Sequence, residues 1–292
     1  MTLLLSVLEQ GLIYAILALG VYITFKILDF PDMSVDSSFP LGAAVTALMI
    51  SSGCSPLLTL PVSLLAGAAA GALTGFIHVR LRVRDLLAGI IVMTALYSVN
   101  LHIAGRANVQ LFTFSTIFKN DWIASLPAGV QPYAPVLILA AITLVVKLLM
   151  EAYLATRSGF LLRATGNNPT LVATLAQDSG KVKILGLMIA NALVSLSGCI
   201  MCQYQRYFDI SMGTGTLVLA VASVIVGTQL LRGLRFLRAT TAVVLGSILY
   251  KGCVALALSF GLSPFDLKLV TAALLLIIIV FGGYRKKVKL HA

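Results

Sequence analysis

Apolar runs of bilayer-crossing length recur along the chain, and they leave very few folds open. Leu3 to Phe25, Leu57 to Ile77, Leu86 to Ala104, Tyr133 to Met150, Ile184 to Gln203, Ala239 to Phe260 and Leu267 to Gly283 are each long enough, or nearly so, to span a hydrocarbon core. In lipid every backbone N–H and C=O must find a partner inside the protein, so such runs fold as helices. Composition agrees: 59% of residues are hydrophobic, 11% are charged and the mean hydropathy is +1.02. The net charge of +11 would point to nucleic acid in a soluble chain. Here the cations sit in short clusters between apolar runs, as Arg80, Arg82 and Arg84, as Arg232, Arg235 and Arg238, and as Arg285, Lys286, Lys287 and Lys289. That placement excludes a nucleic-acid face and marks the cytoplasmic ends of spans.

Two apolar segments are short. Leu41 to Ser51 follows a polar stretch, Asp29 to Pro40, that Pro31 and Pro40 break twice, and Leu217 to Leu231 is the seventh span. With Lys26 and the basic clusters inside, the N-terminus is expected outside and the C-terminus in the cytoplasm. Arg106, Lys119, Arg206 and Lys268 then fall outside, and Lys251 falls within a span. The expected fold is an all-α polytopic integral membrane protein of about nine spans, eight to ten. No cleavable leader is expected, since no basic region precedes the first run. Gly67, Gly71 and Gly75 form a stripe on which another helix can pack closely, and a second copy of the chain is the expected partner.

The halves echo one another. Asp32-Met33-Ser34-Val35-Asp36-Ser37 and Asp209-Ile210-Ser211-Met212-Gly213-Thr214 share a pattern, each after an aromatic-bearing span end and before a short helix. Four spans, one connecting span and four more make the halves inverted repeats, an alternating-access arrangement. The expected division is one permease domain over 1–292, with a first repeat at 1–104 and an external loop, connecting span and coupling segment at 105–183. A second repeat follows at 184–283 and a basic cytoplasmic tail at 284–292. Asp32, Ser34, Asp36, Asp209 and Ser211, with Asn100 and Asn191 inside spans, are the candidate residues of a solute path, and the acids and serines are also expected to cap helices.

The one long polar interruption is Thr156 to Lys183. On residues alone a solvated loop and a short helix across the cytoplasmic face are both open. The helix would have Asn168 as its cap, Pro169 at its first position, and Thr170 to Gln177 as its body before Gly180 ends it. Gly159-Phe160-Leu161-Leu162-Arg163-Ala164-Thr165-Gly166-Asn167-Asn168-Pro169, then Lys183-Ile184-Leu185-Gly186-Leu187, resembles the coupling segment of ABC-importer permeases of the branched-chain amino acid and ribose class, nearest the group assigned to tryptophan or tyrosine uptake. Further motifs of that resemblance are Gly20-Val21-Tyr22 through Gly42, Leu87-Ala88-Gly89-Ile90, and Gly246-Ser247-Ile248-Leu249-Tyr250. Ala176-Gln177-Asp178-Ser179-Gly180 departs from its usual Gly, Val/Ile, Asn run.

The resemblance implies a homodimeric permease in a bacterial cytoplasmic (inner) membrane, docked to two ATPase subunits through Arg163 to Pro169. It also implies an extracytoplasmic binding protein that delivers an amino acid, aromatic by the nearest group. No cofactor is expected on this chain, with ATP and Mg held by the partner ATPase. The chain carries no P-loop of its own, since Gly180-Lys181 lacks the upstream glycine. His78, His102 and His291 are scattered, and Cys199 and Cys202 have no second ligand pair, so no catalytic or metal residue is expected. The rival readings are a proton-coupled secondary transporter with Asp32, Asp36 and Asp209 as relays, and a structural or receptor membrane protein.

Overall fold

The computed structural model describes residues 2–120, 123, 125, 127, 129–167, 172, 178–230, 238–259, 269, 272, 273 and 276. Nine α-helices among them are α1 Thr2–Val21, α2 Val35–Ser51, α3 Thr59–Arg80, α4 Asp85–Ala104, α5 Ala134–Leu154, α6 Arg157–Asn167, α7 Ser179–Gln205, α8 Thr216–Leu230 and α9 Ala239–Ser259. Seven helical stretches among the described residues are long and apolar enough to cross a membrane, and Val35–Ser51 is a shorter apolar helix. Asn168, Pro169, Arg232, Arg235 and the C-terminal basic cluster lie outside the described residues. So, almost wholly, do the helix expected over Thr170 to Gln177 and the span expected over Leu267 to Gly283.

Helix α7 is the central pillar, packed by α1, α2 and α3. Its neighbours approach to backbone contact. A methyl group at Gly42 would lie 1.8 Å from the Ser195 carbonyl oxygen, and one at Gly198 would lie 1.8 Å from that of Phe39. The Gly67, Gly71 and Gly75 stripe packs on the same helix, since a methyl at Gly71 would lie 2.1 Å from the Leu187 carbonyl oxygen. This corrects the expectation that the stripe receives a second copy: α7 of the same chain fills it. Hydroxyls then tie the spans together, Ser195 Oγ donating to the Ser63 carbonyl, Ser197 Oγ to Ile13 and Ser247 Oγ to Gly11, each at 2.8 Å. Across the molecule α9 packs on α1, as α3 packs on α7.

Two expectations about breaks are corrected. Pro40 lies inside α2 and does not end it, so the helix begins at Val35 and not Leu41. A proline removes its own N–H and strands the carbonyl four residues back, here Asp36. Gly213 meets that carbonyl so closely that a methyl there would lie 2.0 Å from the oxygen. Gly180 does not stop a helix; it lies in the first turn of α7, where Asp178 Oδ1 accepts from the N–H groups of Gly180 and Lys181 at 2.9 and 3.4 Å. Pro31 does mark a break: α1 runs on as a π-helix, Tyr22–Ile27, and Asp29 turns left-handed at φ 53°.

Over the ends of α4 and α7, strands β1 Asn108–Gln110 and β2 Tyr207–Asp209 pair antiparallel, with Val109 opposite Phe208. Sequence analysis had no strand here. Gly71→Ala is expected to lower the thermal stability of the purified protein by about 1–3 kcal/mol, the range for overpacking. Gly252→Ala, whose methyl meets only Val7 at 3.9 Å, is expected to be neutral. Equal melting temperatures for the two variants would contradict the packing described.

Candidate functional site

The two echoed segments adopt the same local geometry. In each, a left-handed residue precedes the aspartate by three positions, Asp29 at φ 53° before Asp32 and Arg206 at φ 61° before Asp209. In each, the aspartate Oδ1 accepts from both the N–H and the hydroxyl of the serine two residues on. For Asp32 and Ser34 these bonds are 2.9 and 2.6 Å, and Ser211 makes the same pair to Asp209. A short carboxylate reaching forward to the backbone is the Asx turn that lets a chain leave a helix and begin another.

Their surroundings differ. Asp32 and Ser34 are buried, and Asn191, in the middle of α7, donates from Nδ2 to Asp32 Oδ2 at 2.8 Å. No cation among the described residues pairs with Asp32. Asp209 is partly exposed and accepts from Asn108 Nδ2 at 3.1 Å, which ties it to β1. The Ser211 hydroxyl bond, above all, holds the Asp209 carboxyl below the usual 3.8. A depressed folded value means its contribution is present above the ordinary carboxylate range and is lost on further acidification. About 21 Å of helix separates Asn191 from the end of α7 that leads into β2.

Asp36 links the breaks. Its Oδ1 accepts from Leu217 N–H at 2.8 Å and from the Thr216 hydroxyl at 3.1 Å, and its Oδ2 from Gly215 N–H at 3.1 Å. A residue of α2 therefore caps the N-terminus of α8, from nearly two hundred positions away. Asp36 and Gly213, matched positions of the echo, touch through the Asp36 carbonyl. Asn100, buried on α4, donates to the Ser37 carbonyl at 2.9 Å, while its Oδ1 meets no donor among the described residues. Of the sequence candidates, Asp32, Ser34 and Asn191 thus form one cluster, Asp209 and Ser211 a second, and Asp36 and Asn100 the ground between them.

The connector residues make a helix that sequence analysis did not place. Thr156 caps α6, its Oγ1 accepting from Gly159 N–H at 3.3 Å, and Leu162 and Thr165 face inward. Thr156 followed by apolar positions at helical spacing was the signal available for it. Arg163 and Asn167 are exposed, Ala164 is half-buried, and the Thr165 hydroxyl turns back to the Leu161 carbonyl at 2.8 Å. Gly166 abuts the α1 break: a methyl there would lie 1.7 Å from the Ile27 carbonyl oxygen. That oxygen is one of the carbonyls a helix end leaves unpaired. Glu151, which sequence analysis also missed, joins the end of α5 to the start of α9 by accepting from Arg238 at 2.6 Å and from the Thr240 hydroxyl. On the same side a basic recess of about 410 Å³ is lined by His78, Arg82, Arg84 and Lys183.

Comparison with known proteins gives a consistent picture. Residues 3–280 match the profile of the family described as branched-chain amino acid transport system / permease component. A tyrosine transport system permease protein of Clostridioides difficile is 39% identical, covering 97% of this chain and 92% of its own. An uncharacterized protein of Rickettsia prowazekii is 32% identical over 95% and 96%, and the ribose import permease protein RbsC of Escherichia coli is 28% identical over 78% and 70%. Among solved structures, PsaBC from Streptococcus pneumoniae in complex with Fab aligns over 98% of this chain and 94% of that chain at a TM-score of 0.54 and 13% identity, which speaks to fold alone.

Asn191→Leu is expected to destabilise the purified protein by about 1–3 kcal/mol, because Asp32 Oδ2 loses its donor inside the protein. Asp36→Ala should lose about 1 kcal/mol with the α8 cap. Thermal unfolding checks both, and a neutral Asn191→Leu would mean that the cluster contributes nothing.

Proposed function

Because the chain belongs to the branched-chain amino acid transport permease family of ABC transporters, we propose that it is the membrane-spanning subunit of an ATP-driven importer. Its proposed cargo is an aromatic amino acid handed over by an external binding protein, as the tyrosine permease relative would have it. ATP and Mg are bound on two partner ATPase subunits, and a second permease copy completes the assembly. The observation that carries this reading is the contact of Gly166 with the Ile27 carbonyl. It joins an amphipathic connector helix, with Arg163 and Asn167 outward, to the break that positions Asp32. Force applied to α6 by an ATPase is thereby delivered to the buried Asp32, Ser34 and Asn191 cluster, and through α2 and Asp36 to the start of α8.

The orientation follows the positive-inside rule. The recess of His78, Arg82, Arg84 and Lys183 shares the α6 side, which is therefore cytoplasmic, and the β1–β2 pair faces outward. The inverted-repeat reading, with about nine spans, draws support from the reciprocal packing of α3 on α7 and α9 on α1. It draws more from the meeting of Asp36 with Gly213, since matched residues of two repeats touch where a pseudo-two-fold axis passes between them. A proton relay is not favoured: Asp36 and Asp209 are taken up as acceptors for backbone and hydroxyl donors.

The test is purification with a tagged ATPase and binding protein, followed by uptake in proteoliposomes. ATP-dependent uptake of L-tyrosine or L-tryptophan is expected, and Gly166→Leu should leave the complex assembled while lowering uptake per ATP hydrolysed about tenfold. Uptake driven by a proton gradient without ATP would overturn the reading.

A further inference from the structure

A buried charge, Glu9, and a half-buried one, Lys251, serve neither the connector nor the breaks. Glu9 lies in the second turn of α1 and is 8% exposed, and Lys251 lies inside the α9 span. A charge at the centre of a spanning helix costs about 2.5–3.5 kcal/mol, and such residues usually face a partner or a path. Among the described residues, Glu9 and Lys251 are not paired with each other or with any other charge. Each is held instead by neutral groups. The Tyr204 hydroxyl donates to Glu9 Oε2 at 2.7 Å. Lys251 Nζ lies 3.9 Å from the centroid of the Tyr14 ring and 3.4 Å from Gln10 Oε1. Tyr14 in turn lies parallel to Phe39, ring centroids 6.2 Å apart.

Gln10 follows Glu9 directly, so the acid's helix turn also carries the amide that touches the lysine. Tyr204 is in the last turn of α7, which leads into β2, so the cluster occupies the half of the molecule away from α6. A solute arriving from the β1–β2 side meets it before the α1 break.

We propose that Glu9, Lys251 and the Tyr14–Phe39 pair form a transit site for a zwitterionic amino acid with an aromatic side chain. Its ammonium goes to Glu9, its carboxylate to Lys251 and its ring to the aromatic pair. An ion pair between Glu9 and Lys251 would be the cheaper arrangement if their only task were to hold helices together. Separate charges, each on an exchangeable neutral partner, are what a solute carrying both opposite charges can bridge. A solute carboxylate offers Lys251 an opposite charge, which neither the ring nor the amide does, so the solute can draw Lys251 off both. The inference rests on the importer reading above and deepens it by locating the amino acid.

The test uses the reconstituted complex with its ATPase and binding protein, and L-tyrosine and L-tryptophan as probes. Maximal uptake is measured at saturating loaded binding protein, so that the binding protein's own selectivity cancels. Lys251→Met and Glu9→Gln are each expected to lower it at least about tenfold, and Lys251→Arg to retain most of it. The charge exchange Glu9→Lys with Lys251→Glu should restore uptake relative to either single change, because a zwitterion can bind reversed. The melting temperature of the exchange variant should follow the sum of the singles, because the two side chains do not pair with each other.

Wild-type uptake with Lys251→Met and Glu9→Gln both within about twofold of it would overturn the site and leave the importer standing. Wild-type complexes that assemble but move neither amino acid would overturn the substrate reading, and the site with it. Should Lys251→Met fail to assemble, the exchange variant decides: no recovery of uptake overturns the site.

Discussion

Everything in this structure depends on how closely two helices can approach α7. Between spans there is no water to expel, so association rests on van der Waals contact and on hydrogen bonds that lipid cannot replace. Gly42 and Gly198 bring the backbones of α2 and α7 together, and Gly67, Gly71 and Gly75 do the same for α3. At that spacing a serine hydroxyl reaches a carbonyl on the neighbouring helix, and Asn191 reaches a carboxylate that belongs to neither. The buried polar cluster is a consequence of close packing, since at ordinary interhelical distance Asp32 would have no donor on α7.

The breaks convert that rigid frame into something that can move. Each begins with a left-handed residue and an aspartate that holds the next two residues in a turn, so the direction change is fixed locally and needs no neighbour. The bonds between the breaks are of another kind. Asp36 on α2 caps α8, and Gly213 lies against the carbonyl that Pro40 strands, so α2 and α8 cannot shift independently without breaking the cap or this contact. With Gly166 seated on the Ile27 carbonyl, the connector, the first break and the second form one mechanical chain.

Much of this was legible in the sequence, and the remainder fails for a common reason. The span positions that fall among the described residues, the break at Pro31 and the echo of Asp32 with Asp209 are local signals, and apart from the start of α2 the structure places them within a few residues. Pro40 misled because the partner that tolerates it, Gly213, is far off in sequence. The glycine stripe announces a close approach but not which helix makes it, and α7 stands where a second copy is expected. Helix α6 was overlooked because Asn168-Pro169 is the stronger local start signal, while Thr156 caps more quietly. Three-residue strands such as β1 and β2 have too few positions to show an alternation, and Lys251 looked only like an exception to charge asymmetry until Tyr14 and Gln10 were beside it.

The central claim is that the connector helix and the two breaks move as one. Hydrogen exchange followed by mass spectrometry on the assembled transporter, with and without bound nucleotide, measures this directly. The account predicts that residues 28–34 and 206–215 change protection together when nucleotide binds, with the bulk of α7 unchanged. Protection that changes in the connector while both breaks stay as they were would contradict it.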